Sequence, residues 1–366
     1  MMFKYPVYQP CLSGNEKKYV NECLESTWIS SKGRFVDEFP KKFAEFIGIK
    51  HATGVCNGTV AIHLVLTALG LGPGDEVIVP TFTYIASVNP ITQVGAKPVF
   101  IDSLYETWQM SPKDFERKIT PRTKAVMVVH LYGHPCDMEP IMKIAEEHNL
   151  FVIEDCAQAI GSRYKGRHVG TFGDVAAFSF FGNKTITCGE GGLVATNSDY
   201  LAEKLLSLKG QGLAKYREYW HDLPGFNFRM TNIQAAIGLA QLERVEELIS
   251  AKMSIAKWYQ ENIMNLNIPV TFHQQKDDVL HTFWMNSILA RTQEERDKIR
   301  QHLKNEGIET RPTFYPVHTM PIYSDKYQSL PVAEEISLRG MNLPSYPDLT
   351  ENDVKLICDK ILEAYK

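Results

Sequence analysis

Short apolar runs and amphipathic stretches alternate along most of this chain. His51–Val55, Glu76–Pro80, Lys97–Asp102, Lys124–His130 and Val175–Phe180 are rich in β-branched and apolar residues, and Phe151-Val152-Ile153 is a shorter run that ends in two acids, Glu154 and Asp155. Continuous apolar runs of this length predict strands buried on both faces of a parallel sheet. Between them, Val60–Leu69 is apolar on most faces and Met138–His148 is amphipathic, which predicts crossover helices. Ser111-Pro112 predicts the start of another short helix, and Thr81–Ser87 the start of one more. Two helices, Glu16–Leu24 and Val36–Ile47, precede the first strand. The alternation predicts an α/β fold whose sheet is mainly parallel and covered on both faces. In such sheets ligands bind at the C-terminal ends of the strands.

The pattern changes after a helix at Ser198–Lys209 and a polar, aromatic loop that runs to Leu223. A long helix is predicted to begin near Asn232 and to run on, with increasing charge, toward Ile263. It leads from a large lobe, residues 1–250, to a small α+β lobe, residues 251–366. That lobe holds a strand at Thr282–Ala290, a helix at Gln293–Glu306, a short strand at Glu309–Arg311 and helices at Ala333–Arg339 and Glu351–Tyr365. Arg311-Pro312 and Tyr315-Pro316-Val317-His318 read as a rigid loop.

Composition narrows the classes. A chain of 366 residues can bury two cores. Its net charge of −4 argues against general nucleic-acid binding but leaves small anionic ligands open. No apolar run approaches a membrane span, and the N-terminus has no signal-peptide core. Seven cysteines without a C-x-x-C pair read as reduced thiols of a cytoplasmic protein.

The chemistry concentrates between Phe151 and Gly192. Asp155 ends a buried strand, Ser179 lies on the next, and Lys184 follows just before the turn Gly189-Glu190-Gly191-Gly192. A lysine amine that can condense with an aldehyde, and a carboxylate that can hold a pyridine nitrogen protonated, are what pyridoxal phosphate chemistry requires. Each residue has an ordinary reading: Asp155 as a helix cap, Lys184 as a surface lysine. The flank of Lys184, small, aromatic and nearly free of other cations, favours a desolvated, nucleophilic amine. Gly58 and Thr59 open a helix after a strand, where free amides and the helix dipole favour a phosphate. Alone they would read as a helix cap; beside the Lys184 stretch the phosphate reading is favoured. Tyr84 lies at a strand-to-helix corner from which a ring can cover a cofactor, whereas Phe82 reads as core. His63, His130, His134 and His168 are scattered without ligand spacing, so no metal is expected.

Three pieces in combination, Glu154–Ala159, Phe178–Lys184 and Gly225–Met230, resemble the sugar aminotransferases of the DegT/DnrJ/EryC1/StrS family, and the resemblance runs from about Pro10 to the C-terminus. It implies fold type I, the aspartate aminotransferase-like fold, and a homodimer with shared active sites, possibly within a higher oligomer. It implies that Lys184 carries pyridoxal 5'-phosphate and moves a proton, and that Asp155 pairs with the ring nitrogen. Gln158 faces the ring hydroxyl, Tyr84 stacks on the ring, and Gly58, Thr59 and Ser179 complete the cofactor site. By the same resemblance Asn227 reaches the phosphate of the neighbouring subunit, Arg229 sits near the substrate pyrophosphate or sugar, and Trp28 to Ser31, Ser30 included, line the substrate side. Tyr315 and His318 come to the edge of the site. The family's dehydratases carry histidine at the Lys184 position, so lysine implies transamination. The implied donor is L-glutamate and the implied acceptor a nucleotide-linked keto sugar. The nearest likeness is to members that aminate C4 of GDP-4-keto-6-deoxy-D-mannose for O-antigen polysaccharide. A UDP- or dTDP-linked keto sugar aminated at C3 or C4, and a non-catalytic cofactor- or sugar-nucleotide-binding regulator, stand as alternatives.

Overall fold

The computed structural model describes residues 3–324 and 328–365. Helices α1 (Glu16–Glu25) and α2 (Phe35–Ile47) lead in. Strand β1 (His51–Val55) feeds α3 (Gly58–Leu69), and β2 (Glu76–Pro80) feeds a 3-10 turn (Ile85–Ser87) and the short α4 (Asn89–Gln93). Strand β3 (Lys97–Ile101) is followed by α5 (Pro112–Arg117), β4 (Thr123–Val129), α6 (Met138–Glu147) and β5 (Phe151–Asp155). A small hairpin, β6 (Arg163–Tyr164) and β7 (Arg167–His168), precedes β8 (Val175–Ser179), β9 (Gly192–Thr196) and α7 (Asp199–Lys209). Then come α8 (Asn232–Leu242), α9 (Val245–Asn265), β10 (Val279–Leu280), β11 (Asn286–Leu289) and α10 (Gln293–Asn305). Strand β12 (Arg311–Pro312), α11 (Pro331–Arg339), β13 (Gly340–Leu343) and α12 (Glu351–Glu363) close the chain.

Seven strands form one sheet in the order β1-β9-β8-β5-β4-β2-β3. Every neighbouring pair is parallel except those made by β9, which runs against both β1 and β8. The continuous apolar runs are explained by their two faces. Val77 and Val79 pack into one core with α3 and α7, while Ile78 between them packs into another with α6. In β8, Ala176 and Phe178 face a third core built on Phe39 and Phe43 of α2, and Val175 and Ala177 face the α3 side. No helix among the described residues is long and apolar enough to cross a membrane.

Two expected elements are corrected. The stretch Thr81–Ser87 is coil up to the 3-10 turn at Ile85–Ser87, with α4 only beyond it. The helix expected from Asn232 onward breaks at Glu243-Arg244, where Arg244 takes φ −118° and ψ 14°. Contacts from the N-terminal segment account for the break. Asn15 and Tyr19 donate to the Glu243 carboxylate at 2.7 and 2.6 Å, and Arg244 donates to Ser13 Oγ at 2.8 Å. No glycine or proline marks the place, so periodicity alone carries across it. After the break α9 spans two cores: Val245, Leu248 and Ile249 join the α2 core, and Ile255, Tyr259 and Ile263 pack with α10 and α12.

Glu154, wholly buried in β5, staples the next loop to the sheet. Its oxygens accept from the backbone N–H groups of Gly170, Phe172 and Gly173, each at 2.7 Å. His130 Nδ1 accepts from Cys136 N at 3.0 Å, so its proton sits on Nε2 and is donated to Glu154 Oε2 at 3.0 Å. His130, Glu154 and Cys156 place their polar atoms within 4.8 Å of one another. Because the carboxylate and the imidazole are saturated by hydrogen bonds, the trio is a staple and not a ligand set. Glu154→Ala strands four donors and should lower unfolding stability by at least about 3 kcal/mol. A denaturation midpoint unchanged from wild type would refute that assignment.

Candidate active site

The strand ends β1, β2, β5 and β8 deliver their following residues to one place. Asn57 takes an extended backbone and its side chain accepts from Val60 N at 3.0 Å, capping α3. The cap leaves the first amides of this twelve-residue helix pointing into a cavity of roughly 530 Å³. Gly58, Thr59, Tyr84, Asp155, Gln158, Ser179 and Lys184 all line that cavity. Phe82 instead is in the core at 1% exposure, while Tyr84 is 56% exposed with its ring centroid 5.7 Å from that of Phe314.

Close packing sets the floor. A β-carbon on Gly58 would lie 2.6 Å from Ser179 Cβ, and one on Gly192 would lie 2.6 Å from Asn57 O. Glycine at both positions lets β8 and β9 press against the mouth of α3. Gly58→Ala therefore pushes the α3 amides away from Ser179. Overpacking of about 1–3 kcal/mol translates into roughly ten- to hundredfold weaker cofactor binding, read by titrating the apo-protein with pyridoxal phosphate. Unaltered affinity would show that this cradle does not hold the phosphate.

Asp155 is buried, and its carboxylate accepts from Ser87 Oγ at 2.7 Å and from Ala157 N at 3.0 Å. Ser87 is itself held by Thr83 at 2.9 Å. Gln158 is anchored through Oε1, which accepts from Tyr132 N at 3.0 Å. Lys184 is half-buried in the cavity wall with Nζ 3.9 Å above the Trp284 ring. Burial pushes its amine down to about 8, against the opposing pull of Asp155. Its backbone is pinned from both sides: Lys184 N donates to Phe181 O at 2.9 Å, and Trp284 Nε1 donates to Asn183 O at 2.7 Å. From the N-terminal segment the Tyr8 hydroxyl donates to Lys184 O.

Six expected site residues do not line the cavity within the single chain. Trp28 and Ser30 are exposed, their backbone carbonyls tied to Asn232 at 2.8 and 2.6 Å. Asn227 is exposed, and its Oδ1 accepts from Arg229 Nε at 3.0 Å. Tyr315 is 55% exposed and does not line the cavity, whereas its neighbour Phe314 does. His318 lies in the packed loop and is not on the cavity wall of the single chain. It is 3% exposed, with Nδ1 2.7 Å from Thr81 Oγ1 and Nε2 3.0 Å from Glu334 Oε1, so both ring nitrogens are used in packing the loop.

The structure also adds lining residues that sequence reasoning passed over, among them Trp284, Glu190, Arg311 and Asn342. Trp284 falls within a stretch that reads as a strand, where an aromatic signals core. Arg311 was visible only as the end of a short strand and the start of a rigid loop.

Similarity to known proteins agrees with this geometry. The model of the DegT/DnrJ/EryC1/StrS aminotransferase family matches residues 10–362. The chain is 62% identical over 360 residues to the GDP-perosamine synthase of Escherichia coli O157:H7, covering 98% of each. It is 51% identical to that of Vibrio cholerae, covering 97% of this chain and 98% of the relative. Among solved structures, S. venezuelae DesV superposes with a TM-score of 0.90 at 34% identity, covering 96% of this chain and 95% of that one. Helicobacter pylori PseC, an aminotransferase involved in the biosynthesis of pseudoaminic acid, gives 0.92 at 27% identity, covering 100% and 99%.

Proposed function

The chain belongs to the DegT/DnrJ/EryC1/StrS aminotransferase family, and from that premise we propose that it transfers the amino group of L-glutamate to C4 of GDP-4-keto-6-deoxy-D-mannose, giving GDP-perosamine and 2-oxoglutarate. It is a pyridoxal phosphate-dependent enzyme with the fold type I architecture. Near full-length identity to the GDP-perosamine synthases carries the choice of acceptor.

The cavity residues fit the cofactor. Gly58 lets the first turn of α3 pack directly against Ser179, which brings helix amides and a hydroxyl together on the cavity wall, the donor set a phosphate takes. Lys184 is a desolvated amine, and Asp155 is a buried carboxylate on the same wall. When bound, pyridoxal phosphate supplies an electron sink for the charge left when an α-carbon loses its proton. Gly58, Thr59 and Ser179 would hold its phosphate, Asp155 its ring nitrogen, Gln158 its hydroxyl side and Tyr84 its face.

The protein's own work is then proton transfer and positioning. Lys184 Nζ takes the proton from the α-carbon of glutamate and returns it to the cofactor side, then runs the same path backwards with the keto sugar. An amine titrating near 8 is matched to both directions at neutral pH. Ser87 Oγ and Ala157 N donate to the Asp155 carboxylate and fix its orientation before any ligand binds. The aromatic wall of Tyr84, Phe314 and Trp284 limits access of water to Lys184.

The working unit of this proposal is a homodimer with shared active sites. Tyr219 is 91% and Tyr216 74% exposed on the loop that precedes Asn227 and Arg229, more aromatic surface than a solvated loop needs. In the dimer Asn227 would reach the cofactor phosphate of the neighbouring subunit and Arg229 would sit near the substrate pyrophosphate or sugar, with Trp28 and Ser30 on the substrate side and Tyr315 and His318 at its edge. Sedimentation showing only a 41.6 kDa species in active enzyme would exclude it. The division between lobes is placed near residue 250, inside α9, where that helix passes from one core to the other. Seven free thiols, six of them buried, support a cytoplasmic location.

The reaction is tested by mixing purified enzyme, L-glutamate and GDP-4-keto-6-deoxymannose and identifying the products by mass spectrometry. GDP-perosamine with equimolar 2-oxoglutarate is the expected result. Turnover confined to UDP- or dTDP-linked keto sugars, or independent of glutamate, would overturn the assignment.

A further inference from the structure

Among the described residues, two cationic side chains line the active-site cavity, Lys184 and Arg311, together with two acids, Asp155 and Glu190. Lys184 is committed to proton transfer, which leaves Arg311 as the other cation on the cavity wall of the single chain. Both substrates of the proposed reaction are anionic, and they enter this cavity in turn. Glutamate brings two carboxylates and the sugar nucleotide a diphosphate. Asp155 and Glu190 repel either, so an anion in this cavity needs a countercharge.

Arg311 is built for that role. It stands on β12, paired with Asn342 of β13, which also lines the cavity. Its Nε donates to Glu309 Oε1 at 3.2 Å, and the other Glu309 oxygen accepts from Val7 N at 2.8 Å. Val7 O in turn accepts from Ser345 N at 2.9 Å. The N-terminal segment thus fixes Glu309, and Glu309 fixes one edge of the guanidinium. The side chain remains 49% exposed, so the remaining N–H groups of its five-donor fork face open space. A planar fork held at one edge presents its other edge in the geometry that carboxylates and phosphates accept bidentately.

We propose that Arg311 is the oxyanion anchor of the active site, a specificity-determining residue that holds carboxylate or diphosphate oxygens of the substrates, with Glu309 as its positioning residue. The assignment depends on the proposed reaction only for the identity of the sugar nucleotide.

Arg311→Gln and Arg311→Lys in the full-length holoenzyme test it in two arms. In the first, the cofactor's absorption change is followed against L-glutamate concentration, giving the half-saturating concentration and limiting rate of the donor half-reaction. In the second, the affinity for GDP is measured by calorimetry. Arg311→Gln is expected to weaken at least one arm about ten- to hundredfold, the value of a charge-assisted bidentate contact, with the cofactor spectrum and melting temperature of wild type. Arg311→Lys should recover part of the loss, because it restores charge without the fork. Loss in the glutamate arm names a carboxylate and loss in the GDP arm a phosphate. Both arms within about twofold of wild type would overturn the proposal. So would a loss always accompanied by a lost cofactor band, which would mark a purely structural role. If wild-type enzyme fails to aminate the keto sugar, the proposed reaction falls while the glutamate arm still decides the role of Arg311.

Discussion

Lys184→Ala should leave a protein that still takes up pyridoxal phosphate and turns over about ten-thousandfold more slowly, the upper range for removing a general acid-base group. It should also melt higher than wild-type apo-protein at neutral pH. The second expectation follows from the sign of the Lys184 shift. The folded amine titrates at about 8, below its ordinary 10.5, because burial disfavours its charge. Below about 8 the lysine is charged in both folded and unfolded chains, and the full cost of burying that charge is present. As pH rises from 8 toward 10.5 the unfolded chain holds the proton more tightly than the folded one, so the cost fades. Alanine removes it altogether. Activity lost with stability gained is the signature of a residue kept for chemistry. A variant with wild-type turnover would end the assignment of Lys184, and a lower melting temperature would show that its contact with Trp284 outweighs the desolvation cost. The same shift predicts that wild-type apo-protein binds cofactor covalently faster as pH passes about 8, since only the neutral amine is nucleophilic.

What sequence could and could not reveal divides along physical lines. Strands β4, β5 and β8 were legible because burial on both faces forces an apolar run, and the ends of β5 and β8 located Asp155 and Ser179. Gly58 and Lys184 were legible as residue types that their local chemistry demands. The residues that close the cavity from the far side were not. Trp284 and Arg311 reach Lys184's wall only because β11–β13 fold back onto the strand ends, a tertiary placement that leaves no local pattern. His318 shows the converse limit: a histidine in a proline-bounded loop looks available, and only the positions of Thr81 and Glu334 reveal that both its nitrogens have partners. The break before α9 was hidden likewise, because Ser13, Asn15 and Tyr19 that cause it lie more than two hundred residues away.

Asp155→Ala should lower turnover about a thousandfold, comparable to removing a preorganised electrostatic group from a water-excluded site. The carboxylate is buried and already receives Ser87 Oγ and Ala157 N, so it is oriented before any ligand arrives. In its proposed role the carboxylate would hold a ring nitrogen protonated, and alanine would delete that charge. Asp155→Asn separates charge from shape, since the amide keeps the volume and an oxygen for Ser87. If charge is the essential property, the asparagine variant is as slow as alanine; if orientation suffices, it recovers. A second readout comes from Lys184. Asp155 is the group that holds the lysine amine up against desolvation, so removing its charge lets that amine fall below about 8. Covalent uptake of the cofactor by Asp155→Asn should then reach its plateau at lower pH than in wild type, even while turnover is lost. A slower enzyme with an unshifted pH profile would mean that Asp155 does not act on Lys184 through its charge, and near-wild-type turnover in both variants would remove it from the chemistry.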